Sequence, residues 1–193
     1  MHLEFPGRER LIAALDAAVA LGEDRAITDA LRKSLCELMD DAAVALPAAV
    51  MEPVDDHYAR RELHASREHG YAVIAMTWAP GQGTMIHDHC GMWCVEGVWR
   101  GRLEITQYEL AEQDDPRYRF VPVGTIEART GSAGSLIPPH EYHTIRNPSD
   151  EDIAVSLHVY QRPMVRCGIY SDHGEGDGWL RRSERLLGTD PAH

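Results

Sequence analysis

YAVIAMTWAPGQGTMIHDHCGMWCVEGVWRGRLEITQYEL (71–110) is the stretch whose texture decides the fold. Its first run, YAVIAMTW (71–78), is rich in β-formers and stops at Ala79-Pro80-Gly81. MWCVEGVW (92–99) is a second short run, and RLEITQYEL (102–110) follows Gly101 with partial apolar–polar alternation. The texture continues through YRFVPV (118–123), GTIEAR (124–129), SLIP (135–138), HTIRN (143–147) and DIAVSLHVYQ (152–161). Many short strands at close Gly and Pro spacing point to a mainly β sandwich or barrel.

Upstream the period changes. ERLIAALDAAVAL (9–21) carries apolar residues at Leu11, Ile12, Leu15, Ala18, Val19 and Leu21, near a 3.6-residue repeat. Thr28 is the expected N-cap of DALRKSLCELMDD, where Leu31, Leu35 and Leu38 share a face. Residues 1–193 therefore read as one domain. It has a helical cap over about 1–50, a β-barrel over about 55–165 and a C-terminal tail over about 166–193. WLRRSERLL (179–187) in that tail reads as a short helix.

The net charge of −12 argues against a nucleic-acid surface, which needs clustered Lys and Arg. No run of about 18 apolar residues predicts a membrane span, and MHLEFPGRER lacks the shape of a secretory signal. The four cysteines, Cys36, Cys90, Cys94 and Cys167, are then expected as reduced thiols in the cytoplasm. A monomer or weak homo-oligomer is expected.

The chemistry concentrates at His87-Asp88-His89. Histidines at i and i+2 on a strand point to one face and can reach one ion. His143 is the expected third ligand, with His140 its competitor after Pro138-Pro139. Gly81, His87, His89, Gly101, Pro138, His143 and Asn147 stand in the register of the two cupin motifs, which the sequence therefore resembles. That implies a jelly-roll-like cupin β-barrel behind the N-terminal α-helical segment. Cys94 occupies the position where most cupins place a glutamate ligand. Three histidines without a carboxylate suit iron, copper, nickel or zinc, and favour a substrate that brings its own anionic donor.

IHDH (86–89), Cys94, HTIRN (143–147) and SLHVY (156–160), in that order, resemble the cysteine dioxygenase family of thiol dioxygenases from about Tyr58 to Tyr160. The resemblance implies Fe(II) on His87, His89 and His143, and a Ser156-His158-Tyr160 relay on one strand face. It implies a thioether option between Cys94 and Tyr160, while Cys90 has no place in the pattern. Tyr58-Ala59-Arg60 resembles the segment whose arginine binds the substrate carboxylate; Arg61 is the one-residue alternative, and Arg166 and Arg162 are further anion-holding candidates. The implied reaction converts a small cysteine-like thiol and O2 to a sulfinic acid. The alternatives are the same chemistry on 3-mercaptopropionate or mercaptosuccinate, the latter if two arginines line the pocket, a cupin dioxygenase acting on a non-thiol, and a non-catalytic metal-binding cupin.

Overall fold

The computed structural model describes residues 3–174 and 178–191. After helices α1 (Arg8–Val19) and α2 (Asp24–Asp40) and a 3-10 turn (Ala48–Met51), the chain is built of strands. These are β1 (Ala59–Ala65), β2 (Ala72–Trp78), β3 (Ile86–His87), β4 (Cys94–Arg100), β5 (Arg102–Asp114), β6 (Arg117–Arg129), β7 (Ala133–Leu136), β8 (His143–Arg146), β9 (Ala154–Tyr160), β10 (Arg166–Ser171) and β11 (Leu180–Leu186). One sheet has the order β1-β2-β9-β4-β7; the other, β10-β11-β6-β5-β8-β3, closes on itself through β3 and β10. This is the cupin barrel with an N-terminal helical segment that the sequence implies. Among the described residues no helix is long and apolar enough to cross a membrane.

Every residue of β2 and β9 is buried, so both strands lie between two layers. Successive side chains point to opposite faces, and parity sorts them. Val155, Leu157 and Val159 join Val73, Ala75 and Val95 in the core under the helices. Ile74, Met76, Trp78, Cys94, Val98 and Tyr160 form a second core inside the barrel.

The helices present the complementary stripe. Leu11, Leu15 and Ala18 are buried on α1, and Ile27, Leu31, Leu35 and Leu38 on α2. α2 lies close to β4 at Gly97, where an added Cβ would stand 3.1 Å from Met39 Cε and 3.5 Å from Leu35 Cδ1. α2 begins earlier than expected. Its N-cap is Glu23, whose carboxylate accepts from the N–H groups of Arg25 (3.1 Å) and Ala26 (2.9 Å). A carboxylate satisfies orphan donors at a helix start as well as a hydroxyl does. Thr28 instead lies within the helix, its hydroxyl donating to the Arg25 carbonyl (3.1 Å).

Three further differences follow from pairing. YRFVPV and GTIEAR are one strand, β6, because a bulge absorbs Pro122, which has no N–H to donate: Gln107 pairs with Gly124 and Tyr108 with Pro122, skipping Val123. Tyr58-Ala59-Arg60 leads into a strand, β1, paired with β2. WLRRSERLL is not a helix: Leu180–Leu186 pairs with β10 from Arg166↔Leu186 to Ser171↔Arg181, and with β6 at Tyr118 and Arg117. Its Leu, Arg and Glu are good helix formers, but such preferences are small per residue and the β10 ladder overrides them. The segment expected as a tail thus supplies two barrel strands.

Leu35 is fully buried between α2 and the sheet. Leu35→Ala should lower the unfolding free energy by about 2–5 kcal/mol, the usual cost of such a core truncation. Denaturant titration checks this; a change below about 1 kcal/mol would mean that α2 does not pack as described.

Candidate metal centre

β3 and β8 pair with His87 directly opposite His143, so the two imidazoles leave their strands side by side. His89 follows two residues later and returns to the same face. The three ring centroids are 4.3 Å (His87–His143), 5.0 Å (His89–His143) and 5.5 Å (His87–His89) apart. One nitrogen of each lies within 4.8 Å of the other two. His87 Nδ1 faces the Met85 carbonyl at 3.1 Å, and His143 Nδ1 faces the Glu141 carbonyl at 2.9 Å. A carbonyl there assigns the proton to Nδ1 and leaves Nε2 a bare donor pair. His143 Nε2 and His89 Nδ1 are buried with no hydrogen-bond partner. Burial is the first cause that pushes all three pKa values down, to well below the ordinary range for His89 and His143. They are therefore neutral at physiological pH, the form that ligates a metal. Converging, neutral, unpartnered imidazole nitrogens fit a metal ion.

The neighbouring residues lock this arrangement. Asp88 points away from the centre, accepting from Gly168 N (2.9 Å), Cys90 N (3.1 Å) and the Tyr170 hydroxyl (3.1 Å), so it ties β3 to β10. A Cβ at Gly168 would collide with that carboxylate. Glu141 accepts from His89 N at 2.8 Å. Asn147 clamps a loop: its amide donates to the carbonyls of Trp78 (3.0 Å), Ala79 (3.2 Å) and Asp152 (2.8 Å). His140, the competing ligand candidate, is exposed, and the centre forms with His143.

β9 and β4 supply the facing wall. Trp78 Nε1 donates to Ser156 Oγ (2.9 Å), and Ser156 Oγ lies 2.8 Å from His158 Nε2. Ser156 accepts from Trp78 and still has a proton to donate to His158 Nε2 in the tautomer that carries its proton on Nδ1. That Nδ1 faces Glu96 Oε2 at 3.3 Å. His158 and Tyr160 stack, ring centroids 5.9 Å apart and planes at 16°. Tyr160 stands edge-on to His89 at 5.6 Å. Burial first, then the Cys94 thiol, pushes the Tyr160 pKa well up, so its hydroxyl keeps its proton. Cys94 is directly opposite Tyr160 in the β4–β9 register.

Glu96 is the residue sequence reading missed. The centre was expected without a carboxylate because Cys94 takes the usual position; Glu96, two residues on and therefore on the same face, brings one to within 3.9 Å of His143 Nε2. The signal was present: one charge in the otherwise apolar run MWCVEGVW. Burial raises the Glu96 pKa to about 7 and lowers that of His158 to about 3. His158 is therefore neutral at pH 7, so its 3.3 Å contact with Glu96 is not an ion pair there.

Parity also separates the arginines. Arg60 pairs with Met76 and lines the cavity beside the histidines; Arg61 pairs with Ala75 and turns to the opposite face, where it donates to the Glu52 carbonyl (2.9 Å). Arg60 Nη1 donates to the Gly188 carbonyl (2.9 Å) and Nη2 to that of Met164 (3.4 Å), while its buried Nε has no partner. Tyr58 stacks on Trp78 with centroids 4.5 Å apart. Arg166 and Arg162 are not brought to this group. Arg166 is exposed and faces Glu184 at 3.5 Å; exposed Arg162 donates to the Cys90 carbonyl at 3.4 Å. The cavity among the histidines, Arg60 and Tyr160 measures about 20 Å³, room for one water.

Known proteins place this sequence in a family. A human protein named cysteine dioxygenase type 1 is 26% identical over 100 residues, covering 52% of this chain and 49% of its own. Its bovine counterpart is 25% identical over 122 residues, 63% of this chain and 60% of its own. The chain thus spans about half to three-fifths of the length of these relatives. A solved structure from Klebsiella pneumoniae, a conserved protein with a double-stranded beta-helix domain, aligns with a TM-score of 0.47 at 14% identity, covering 63% of this chain and 85% of that one. The profile of the family described as cysteine dioxygenase type I matches residues 42–173, well over half of the chain. The chain belongs to the cysteine dioxygenase type I family.

Proposed function

We propose that this chain is a non-haem iron thiol dioxygenase that converts a small carboxylate-bearing, cysteine-like thiol and O2 to the sulfinic acid. The observation that carries the proposal is the convergence of three buried, neutral imidazoles, two of them with unpartnered nitrogens, beside the inward guanidinium of Arg60. In this reading His87, His89 and His143 hold Fe(II). Iron bound there would favour the thiolate over the thiol and supply the electrons that let triplet oxygen react. Both oxygen atoms end on sulfur, so RSH and O2 balance RSO2H.

The chain's own residues supply orientation. Arg60 offers its free Nε to the substrate carboxylate, a charge-assisted contact in a water-poor cavity. Such positioning can lower a barrier by several kcal/mol. Tyr160 offers a protonated hydroxyl to the sulfur or oxygen side of the pocket. Ser156 and His158 hold the wall against which that ring stacks. The register of Cys94 opposite Tyr160 supports a thioether between them, whose formation would remove two hydrogen atoms in an oxidation coupled to O2. A mass shift of two hydrogens on the peptides carrying Cys94 and Tyr160 is its signature.

Iron-loaded protein should consume O2 with a thiol acid such as cysteine, and His143→Ala should return uptake to background. Arg60→Gln should raise the KM for the thiol acid about 10–100-fold, the value of a charged hydrogen bond. Stoichiometric metal binding without any thiol-dependent uptake would defeat the reading and leave a metal-binding cupin.

In metal-free protein Glu96 gives a second check. Its carboxyl titrates near 4.5 unfolded and about 7 folded, so the folded state binds the proton more tightly. The resulting stability is fully present below the unfolded value and is lost as pH rises through about 7. Between pH 5 and pH 8, Glu96→Gln should therefore gain on the order of 2–3 kcal/mol relative to the unsubstituted chain. A pH-independent difference in denaturant titrations would show that Glu96 is charged in the fold.

A further inference from the structure

Arg185 is a half-buried arginine without a carboxylate partner among the described residues. It stands opposite Cys167 in the β10–β11 register, and Cys167 and Leu187 both line the cavity beside the histidines. Side chains directly opposite in an antiparallel pair share a face, so β11 turns Arg185 toward that side of the barrel. Its guanidinium lies 5.5 Å from the centroid of the Tyr58 ring. A second cavity of about 120 Å³ lies there, bordered by Arg185, Arg60, His57 and Thr189. It shares Tyr58, Arg60 and Leu187 with the small cavity of the metal centre.

The charges facing this cavity are unbalanced. Two guanidinium groups border it, together with His57, whose pKa is raised by Asp190 and then Asp56. One carboxylate, Asp190, also borders it, but that group already accepts from Arg60 N (2.8 Å) and faces His57 Nε2 (3.0 Å). The volume is several times that of a water and accommodates a carboxymethyl group.

We infer that Arg185 and Arg60 form a two-cation subsite, and that among carboxylate-bearing thiols this centre prefers one with a second carboxylate, so that each arginine takes one. This rests on the dioxygenase reading for its thiol and on the cavity alone for its anions. Arg185 occupies the role that sequence reading offered to Arg166 and Arg162.

Two measurements separate the subsite from the reaction. Calorimetry of the full chain with succinate and with propionate, neither of which has a thiol, reads the anion site directly. Succinate should bind at least about tenfold more tightly than propionate, Arg185→Gln should erase that ratio, and Arg185→Lys should keep part of it. Oxygen uptake then compares mercaptosuccinate with 3-mercaptopropionate. The ratio of their kcat/KM values should fall about tenfold or more in Arg185→Gln. Equal affinity for succinate and propionate in the unsubstituted chain overturns the subsite, even if thiols are oxidised. A succinate preference that needs Arg185, with no uptake for either thiol, upholds the subsite and removes the dioxygenase reading. Circular dichroism and the unfolding midpoint of each variant confirm that β11 remains in place.

Discussion

The architecture depends on one constraint, the burial of β9 on both faces. A strand with a wet side can tolerate polar residues there; β9 has no wet side. Each polar side chain on it must therefore meet a partner within the protein or a ligand. One parity class, Val155, Leu157 and Val159, is apolar and anchors the helices. The other, Ser156, His158 and Tyr160, is polar and is accommodated only because Trp78, Glu96 and the histidine cluster lie across from it. Fold and site are thus two readings of the same seven residues.

Electrically, the interior is kept neutral by mutual adjustment. Burial disfavours the charged form, so the imidazoles shed their protons, Tyr160 retains its own, and Glu96 gives its proton up only as the pH passes about 7. Arg60 and Arg61 are buried as well, and they donate to backbone carbonyls, Arg60 to Met164 and Gly188 and Arg61 to Glu52. A divalent ion would enter a cage of neutral donors with a reserve carboxylate 3.9 Å from one of them. That places Glu96 to offset part of the ion's charge from just outside the histidine cluster.

Much of this was legible in the sequence, for identifiable reasons. Period-two placement of His87 and His89 and of Ser156, His158 and Tyr160 survives folding because strand parity is local. The helices were legible from Leu31, Leu35 and Leu38. What escaped depended on partners distant in sequence. β11 looks helical until β10 offers a ladder. Glu23 caps α2 without being one of the usual capping residues. Glu96 was hidden by attention to the motif position at Cys94, although the same parity argument applied to it. Arg60 was the expected anchor with Arg61 its one-residue alternative, and pairing with β2 assigned each a face. Arg185 became visible only when the register with Cys167 was known.

The position of β11 beside the cavity also separates access from assembly. The three histidines stand on or beside strands that pair with one another and with β10, whereas the wall around Arg60 also takes Leu187, Gly188 and Asp190. Segments open locally at different free energies. An opening confined to β11 and the residues after it would uncover Arg60 and leave the pairing of His87 with His143 intact. Access to the cavity and integrity of the histidine cluster are thus mechanically separable.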